Sequence, residues 1–191
     1  MSPSNADRSP SHIPSVRLNI QLPNDQLERF FALFQRGITL PATIGCSLKN
    51  LLCGQLAIPE EYVTERITTV FCDNCPVDDF EKTILQDGSR IALSAAMPGL
   101  VGATMRRGGF YAALRQGISH LIHTGPAVPE DGVVTLKLFN LLMTELGPTL
   151  LAHGILLEPE ELQELQQRIP ALNEITSVAT GQTLLVVSFL E

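Results

Sequence analysis

Residues 183–190, T-L-L-V-V-S-F-L, form an almost unbroken apolar run set off by the turn pair Gly181-Gln182. The run is too short for a buried helix, and its valines and continuous hydrophobicity suit a central strand covered on both faces. Such a strand needs a sheet around it and a second layer above it. The opposite end of the chain supplies a partner signal. Val16, Leu18, Ile20 and Leu22 alternate with Arg17, Asn19 and Gln21, the period of a half-buried strand.

Between these two runs the chain alternates strand and helix signals. Asp25 followed by Glu28 resembles a capping box, and Leu27, Phe30, Phe31 and Phe34 recur on one helical face before Gly37. Pro41 marks a loop, after which Ser47 can cap a short helix bearing Leu48, Leu51 and Leu52 and ending at Gly54. The segment 59–65 has the composition of a first helical turn but is too short to assign. Residues 67–72 read as a strand, Asp73-Asn74 as a two-residue turn and 75–77 as its return. Asp78 and Glu81 start a predicted helix that faces Phe80 and Ile84 inward, and 86–88 turn the chain into a strand over 89–95.

Further on, 110–114 suit a helix, 118–122 a strand, and 133–139 alternate again. Gly147-Pro148 interrupts a leucine-rich stretch, dividing it into two short helices. Pro159, the stripe Leu162, Leu165 and Ile169, and the Glu164 to Arg168 spacing describe an amphipathic helix ended by Pro170. Residues 175–178 form a strand before the closing run. These elements predict an α+β (or α/β) fold, a mixed sheet with flanking helices. Residues 1–14, rich in Ser and Pro, read as a flexible tail, and 15–191 as a single globular domain.

The net charge of -7 disfavours nucleic-acid binding, which depends on dense Lys and Arg. The charge is unevenly spread. No Asp or Glu occurs from Gly88 through Pro129, where Arg90, Arg106, Arg107 and Arg115 all fall. No apolar run reaches the length of a membrane span and the N-terminus lacks a signal-peptide core, so the expected location is the cytoplasm, without a membrane partner. A large apolar fraction, 45%, makes a homo-oligomer a reasonable expectation.

The acid-free stretch contains the main candidate site. A strand delivers the loop P-G-L-V-G and then R-R-G-G. Glycines let backbone N–H groups approach an anion, and arginine binds anions through two parallel hydrogen bonds. Gly99, Gly102, Arg106 and Arg107 are therefore the candidate ligand-binding residues. The spacing matches neither a Walker loop nor a dinucleotide fingerprint, and a turn with arginines that are solvated or paired with the acidic remainder of the chain is the simpler reading.

Cys46, Cys53, Cys72 and Cys75 could together hold zinc, but the spacing of the first pair is wrong for a zinc knuckle. Ordinary reduced thiols are the favoured reading and no cofactor is predicted. Asp73, Asp78 and Asp79 crowd the C-x-x-C pair with negative charge that opposes thiolate formation. His120 and His123 fall on a predicted strand and would face opposite sides. Ser94, Thr104 and Ser119 sit in no nucleophile motif, and no acid pair suited to hydrolysis stands out.

The strand T-V-F, the phrase P-V-D-D and the turn-strand D-G-S-R-I-A-L-S resemble, over residues 67–109, the ubiquitin-like β-grasp sulfur-carrier proteins of thiamin and molybdopterin synthesis. The resemblance implies a β-grasp-like segment, and the loose recurrence of strand, helix and strand allows two such lobes sharing one core. In those carriers the run leads to a terminal Gly-Gly that carries sulfur. Here Gly108-Gly109 is internal, so sulfur transfer is not implied. The expectation is a non-catalytic protein that binds a protein partner or small anionic ligand through residues 98–107. The alternatives are an enzyme acting on a phosphorylated or carboxylated small molecule, with Arg106 and Arg107 holding the anion, and a zinc-stabilised interaction module.

Overall fold

The computed structural model describes residues 14, 16–110, 128–173 and 181–190. Among the described residues, eight strands form one sheet: β1 (Val16–Pro23), β2 (Ile38–Ile44), β3 (Thr69–Cys72), β4 (Cys75–Pro76), β5 (Arg90–Ser94), β6 (Glu130–Phe139), β7 (Ile155–Leu157) and β8 (Thr183–Leu190). Their spatial order is β1-β8-β7-β2-β6-β5-β3-β4. The β1/β8 and β5/β6 pairs are parallel and the rest antiparallel. With α1 (Phe31–Arg36), α2 (Glu60–Glu65), α3 (Gly99–Met105), α4 (Leu142–His153) and α5 (Pro159–Arg168), this is an α+β protein with a mixed sheet and flanking helices.

Strand register gathers the apolar residues on one face, because residues opposite one another in a sheet point the same way. Leu18 lies opposite Leu185, Ile20 opposite Val187, Ile38 opposite Leu136, Leu40 opposite Val134 and Leu93 opposite Leu138. All of these side chains are buried and belong to one core cluster. β1 shows the alternation its sequence predicts. β8 departs from expectation: Leu185 and Val187 are buried, whereas Leu184 and Val186 are half-buried and Ser188 is exposed. It is an interior strand with one fully covered face, so its continuous hydrophobicity overstates its burial.

The chain leaves β1 through a 3-10 turn, Asn24–Phe30, and only then enters α1. Pro23 occupies the cap position without a side-chain cap, so the predicted Asp25 box does not form. A three-residue repeat explains which side chains turn inward. Leu27, Phe30 and Leu33 are buried, Phe34 is fully buried, and Phe31 remains half-buried. Gly37, at φ 120°, ends the helix with a backbone that side-chain-bearing residues rarely adopt.

Pro41 lies inside β2, in the middle of the sheet, and not in a loop. Proline is excluded from central strands because it donates nothing to the ladder. The structure resolves the conflict on the β7 side of β2. β7 reaches β2 only at Thr39, opposite Leu156. Beyond that point side chains replace the missing strand. His153 Nε2 lies 3.1 Å from the Pro41 carbonyl oxygen. Gln55 Oε1 accepts from the Thr43 backbone N–H at 2.7 Å while Gln55 Nε2 donates to the Thr43 carbonyl at 2.9 Å. One amide side chain thus completes the ladder with both of its polar atoms.

Gln55 is positioned by a short run of π-helix, Asn50–Gln55, that comes after Ser47, whose hydroxyl accepts from the Asn50 N–H. Leu48, Leu51 and Leu52 are fully buried, as their spacing predicts, but the helical run continues through Gly54. The predicted helix after Asp78 is absent. Asp79 instead caps a turn, accepting from the N–H groups of Glu81 and Lys82 at 3.0 Å, and Phe80 is buried beneath it. The predicted break at Gly147-Pro148 is also absent, since α4 runs through both. Proline costs about 3 kcal/mol in a helix interior, and the buried residues Leu142, Leu146, Leu150 and Leu151 offset it by packing the helix on the core.

The β3–β4 hairpin and α5 agree with expectation. Asp73 and Asn74 have φ 50° and 67°, the pair of left-handed residues that a tight hairpin requires. α5 begins with a reciprocal capping box between Glu158 and Glu161 and carries the Glu164–Arg168 ion pair. Arg36 adds a second contact to Glu164 at 2.8 Å and ties α1 to α5. Glu145 on α4 accepts from the Tyr62 hydroxyl of α2 and from Arg66, the residue that caps the C-terminal end of α2. Residues 1–13 of the tail expected over 1–14, residues 111–114 of the helix expected over 110–114, the strands over 118–122 and 175–178, and Arg115, Ser119, His120 and His123 lie outside the described residues. Among the described residues no helix is long and apolar enough to cross a membrane.

Candidate functional site

The segment 87–109 is anchored before it reaches its nominated residues. Asp87 Oδ1 accepts from the Val133 N–H at 3.0 Å, and Gly88 makes the turn at φ 77°. β5 then runs parallel to β6, and Asn140 donates to Ser94 Oγ at 3.1 Å where β5 ends. Beyond β5 the chain forms a helix, α3, where the glycines predict a loop. Pro98 is extended and Gly99 enters the helix with φ 77°. Gly102 is buried: a Cβ there would lie 1.7 Å from the Met97 carbonyl oxygen. Its absent side chain serves backbone packing within the segment.

The two arginines separate. Arg106 is exposed, while Arg107 turns back into the protein. The Arg107 N–H donates to the Thr68 carbonyl at 2.8 Å, and Nη2 donates to the Thr64 carbonyl at 2.8 Å and to that of Val63. These last two carbonyls lie near the C-terminal end of α2, where a cation offsets the helix dipole. The guanidinium sits 4.2 Å from the Phe80 ring centroid, within cation–π range. Burial pulls its pKa below the ordinary arginine value, with Asp78 opposing. Arg107→Met, which keeps much of the stem and removes the charge, is expected to lower stability by about 1–2 kcal/mol in urea denaturation. An unchanged midpoint would show that these contacts contribute nothing.

Arg107 also lines a cleft of about 320 Å³ together with Lys49, Cys53 and Phe80. Glu60, Asp78, Asp79 and Glu81 share that lining. Lys49 bridges Glu60 at 2.7 Å and Glu81 at 3.0 Å, and both partners raise its pKa. Carboxylates therefore outnumber cations around the cleft, and the field there favours positive rather than negative guests. Gly99, Gly102, Arg106 and Arg107 are close together in sequence, but the structure divides them among a helix start, a packing contact, an exposed side chain and an internal clamp.

The cysteines occupy three places. Cys46 Sγ donates to the Thr43 carbonyl at 2.9 Å and accepts from Gln55 Nε2, and burial raises its pKa. Cys53 faces the acidic cleft, where burial and then Glu60 push its thiol up. Cys72 and Cys75 lie opposite each other in the hairpin. Burial, reinforced by Asp73, pushes the Cys72 thiol up to about 12. Among the described residues no three His, Cys, Asp or Glu side chains converge as metal ligands, so the four thiols do not assemble the zinc alternative.

What the candidate segment does present is apolar. Met97 is 41% exposed, Leu100 74%, Val101 60% and Phe110 92%. The sequence holds these residues in plain view, but nothing in an apolar residue on or beside a short helix distinguishes a buried face from an exposed one. Comparisons with protein-family models, with curated proteins and with solved structures gave no match to this chain.

Proposed function

We propose that the protein is a non-catalytic binding module that docks a protein partner through residues 97–110. The observation that carries this reading is the exposure of Met97, Leu100, Val101 and Phe110 within one short segment. Full burial of a completely exposed side chain of this size is worth about 1.5–3 kcal/mol, these four would recover a part of that in proportion to their exposure, and exposed apolar surface marks interaction sites. A protein partner fits better than a small anion because Arg107 is engaged with the α2 carbonyls and Phe80.

A photo-cross-linking residue placed at Leu100 tests the reading in living cells, with the same residue at exposed Glu61 as the control. A discrete adduct from position 100 and none from position 61 is expected, and an adduct of twice the chain mass identifies the partner as a second copy. Absence of adduct at 100, or equal labelling at both positions, overturns the proposal.

A further inference from the structure

We propose that Cys72 and Cys75 form a reversible disulfide across the β3–β4 hairpin by exchange with a low-molecular-weight disulfide of the glutathione type. The two residues are register partners flanking the two-residue turn Asp73-Asn74. Val77 N–H donates to the Val70 carbonyl at 2.9 Å, and hydrogen-bonded pairs recur every second residue, so Cys72 and Cys75 form a hydrogen-bonded pair as well. Cα atoms in such pairs lie about 5.5 Å apart, inside the disulfide range, and their side chains share a face. The β-carbons of register partners stand about 4.5–5.5 Å apart and must approach to about 3.8 Å. Closure therefore tightens the hairpin, and the resulting bond is easily reduced.

The two thiols have different access. Cys75 is half-buried and reachable, whereas Cys72 is fully buried and its S–H donates to Asp73 Oδ2 at 3.5 Å. The Cys75 thiolate attacks one sulfur of glutathione disulfide, the S–S bond breaks and one glutathione thiolate leaves. Cys72 then gives its proton to water and attacks the Cys75 sulfur of the mixed disulfide, expelling the second glutathione. Two protein thiols are oxidised and one glutathione disulfide is reduced to two thiols. Asp73 holds the hairpin in place by accepting from the Arg90 N–H at 2.8 Å and from Ser89 Oγ at 3.3 Å. Its charge also opposes formation of the Cys72 thiolate, which makes the second step the slow one.

The experiment uses the intact folded protein incubated with glutathione disulfide, then acid-quenched, alkylated and digested with trypsin. Arg66 and Lys82 are consecutive cleavage points, so residues 67–82 carry both cysteines in one peptide. The expected product is that peptide, lighter by two hydrogens and not alkylated, and restored by added reduced glutathione. Cys72→Ala is expected to accumulate glutathione on Cys75, and Asp73→Asn to speed closure several-fold. A wild-type peptide that ends with glutathione on Cys75 and a free Cys72, or with both thiols alkylated, overturns the proposal.

Discussion

Phe34→Ala is expected to lower the unfolding free energy by about 3–5 kcal/mol, a large share of the roughly 5–15 kcal/mol that holds a domain of this kind together. Phe34 is fully buried, with ring centroids of Phe30 and Phe31 each 6.4 Å away. Its other neighbour is α4. A Cβ on Gly147 would lie 2.8 Å from Phe34 Cε2, so the helix backbone rests directly on the ring. Truncation leaves a void bounded by that backbone and by two neighbouring rings, which cannot collapse into it without moving α4 from the core. Urea denaturation is expected to show a lower midpoint with an unchanged slope. A loss below about 1 kcal/mol would mean that α1 and α4 close the gap freely.

Gln55→Leu is expected to cost about 2–3 kcal/mol by a different route. The substitution preserves bulk but strips both Gln55 hydrogen bonds from Thr43, leaving a partly buried N–H unpaired and the carbonyl with only the weak donor Cys46 Sγ. Water can reach these groups only in part, because Thr43 is half-buried. Gln55→Glu separates the two bonds, since a carboxylate still accepts from the Thr43 N–H but repels its carbonyl. It should fall between wild type and Leu near pH 7. Amide exchange at Thr43 offers a direct readout. Protection that survives in Gln55→Leu would show that the side chain does not complete the ladder.

The legible parts of the fold were those whose causes are local. The Asp73-Asn74 turn, the Pro159 helix start and the alternation of β1 each depend on residues within a few positions of one another. The misread parts were decided by distant ones. Pro41 is compatible with a central strand only because His153 and Gln55 stand where β7 would otherwise have to reach. Gly147-Pro148 stays helical because Phe34 needs the glycine and the core holds the leucines around it. β7 has three residues, too few to show any period.

The candidate site divides along the same line. The charge pattern singles out the stretch, which lacks acids and carries both glycines and arginines. What Arg107 contacts is not legible there, because it is engaged by Val63 and Thr64, 44 and 43 positions upstream, and by Phe80. The sequence places Arg106 and Arg107 side by side, and a single bend of backbone sends one outward and the other inward.

The parallel pairing of β1 with β8 bears on how quickly the fold can form. Val16 pairs with Thr183 and Pro23 with Leu190, joining residues from opposite ends of the described chain. Parallel neighbours this remote cannot be nucleated by a turn, and closing so long a loop loses chain entropy before any contact compensates it. The hairpin and helices draw on nearby residues, so β1 is the element expected to join the sheet last, and until it does both its own edge and that of β8 stay open to mispairing.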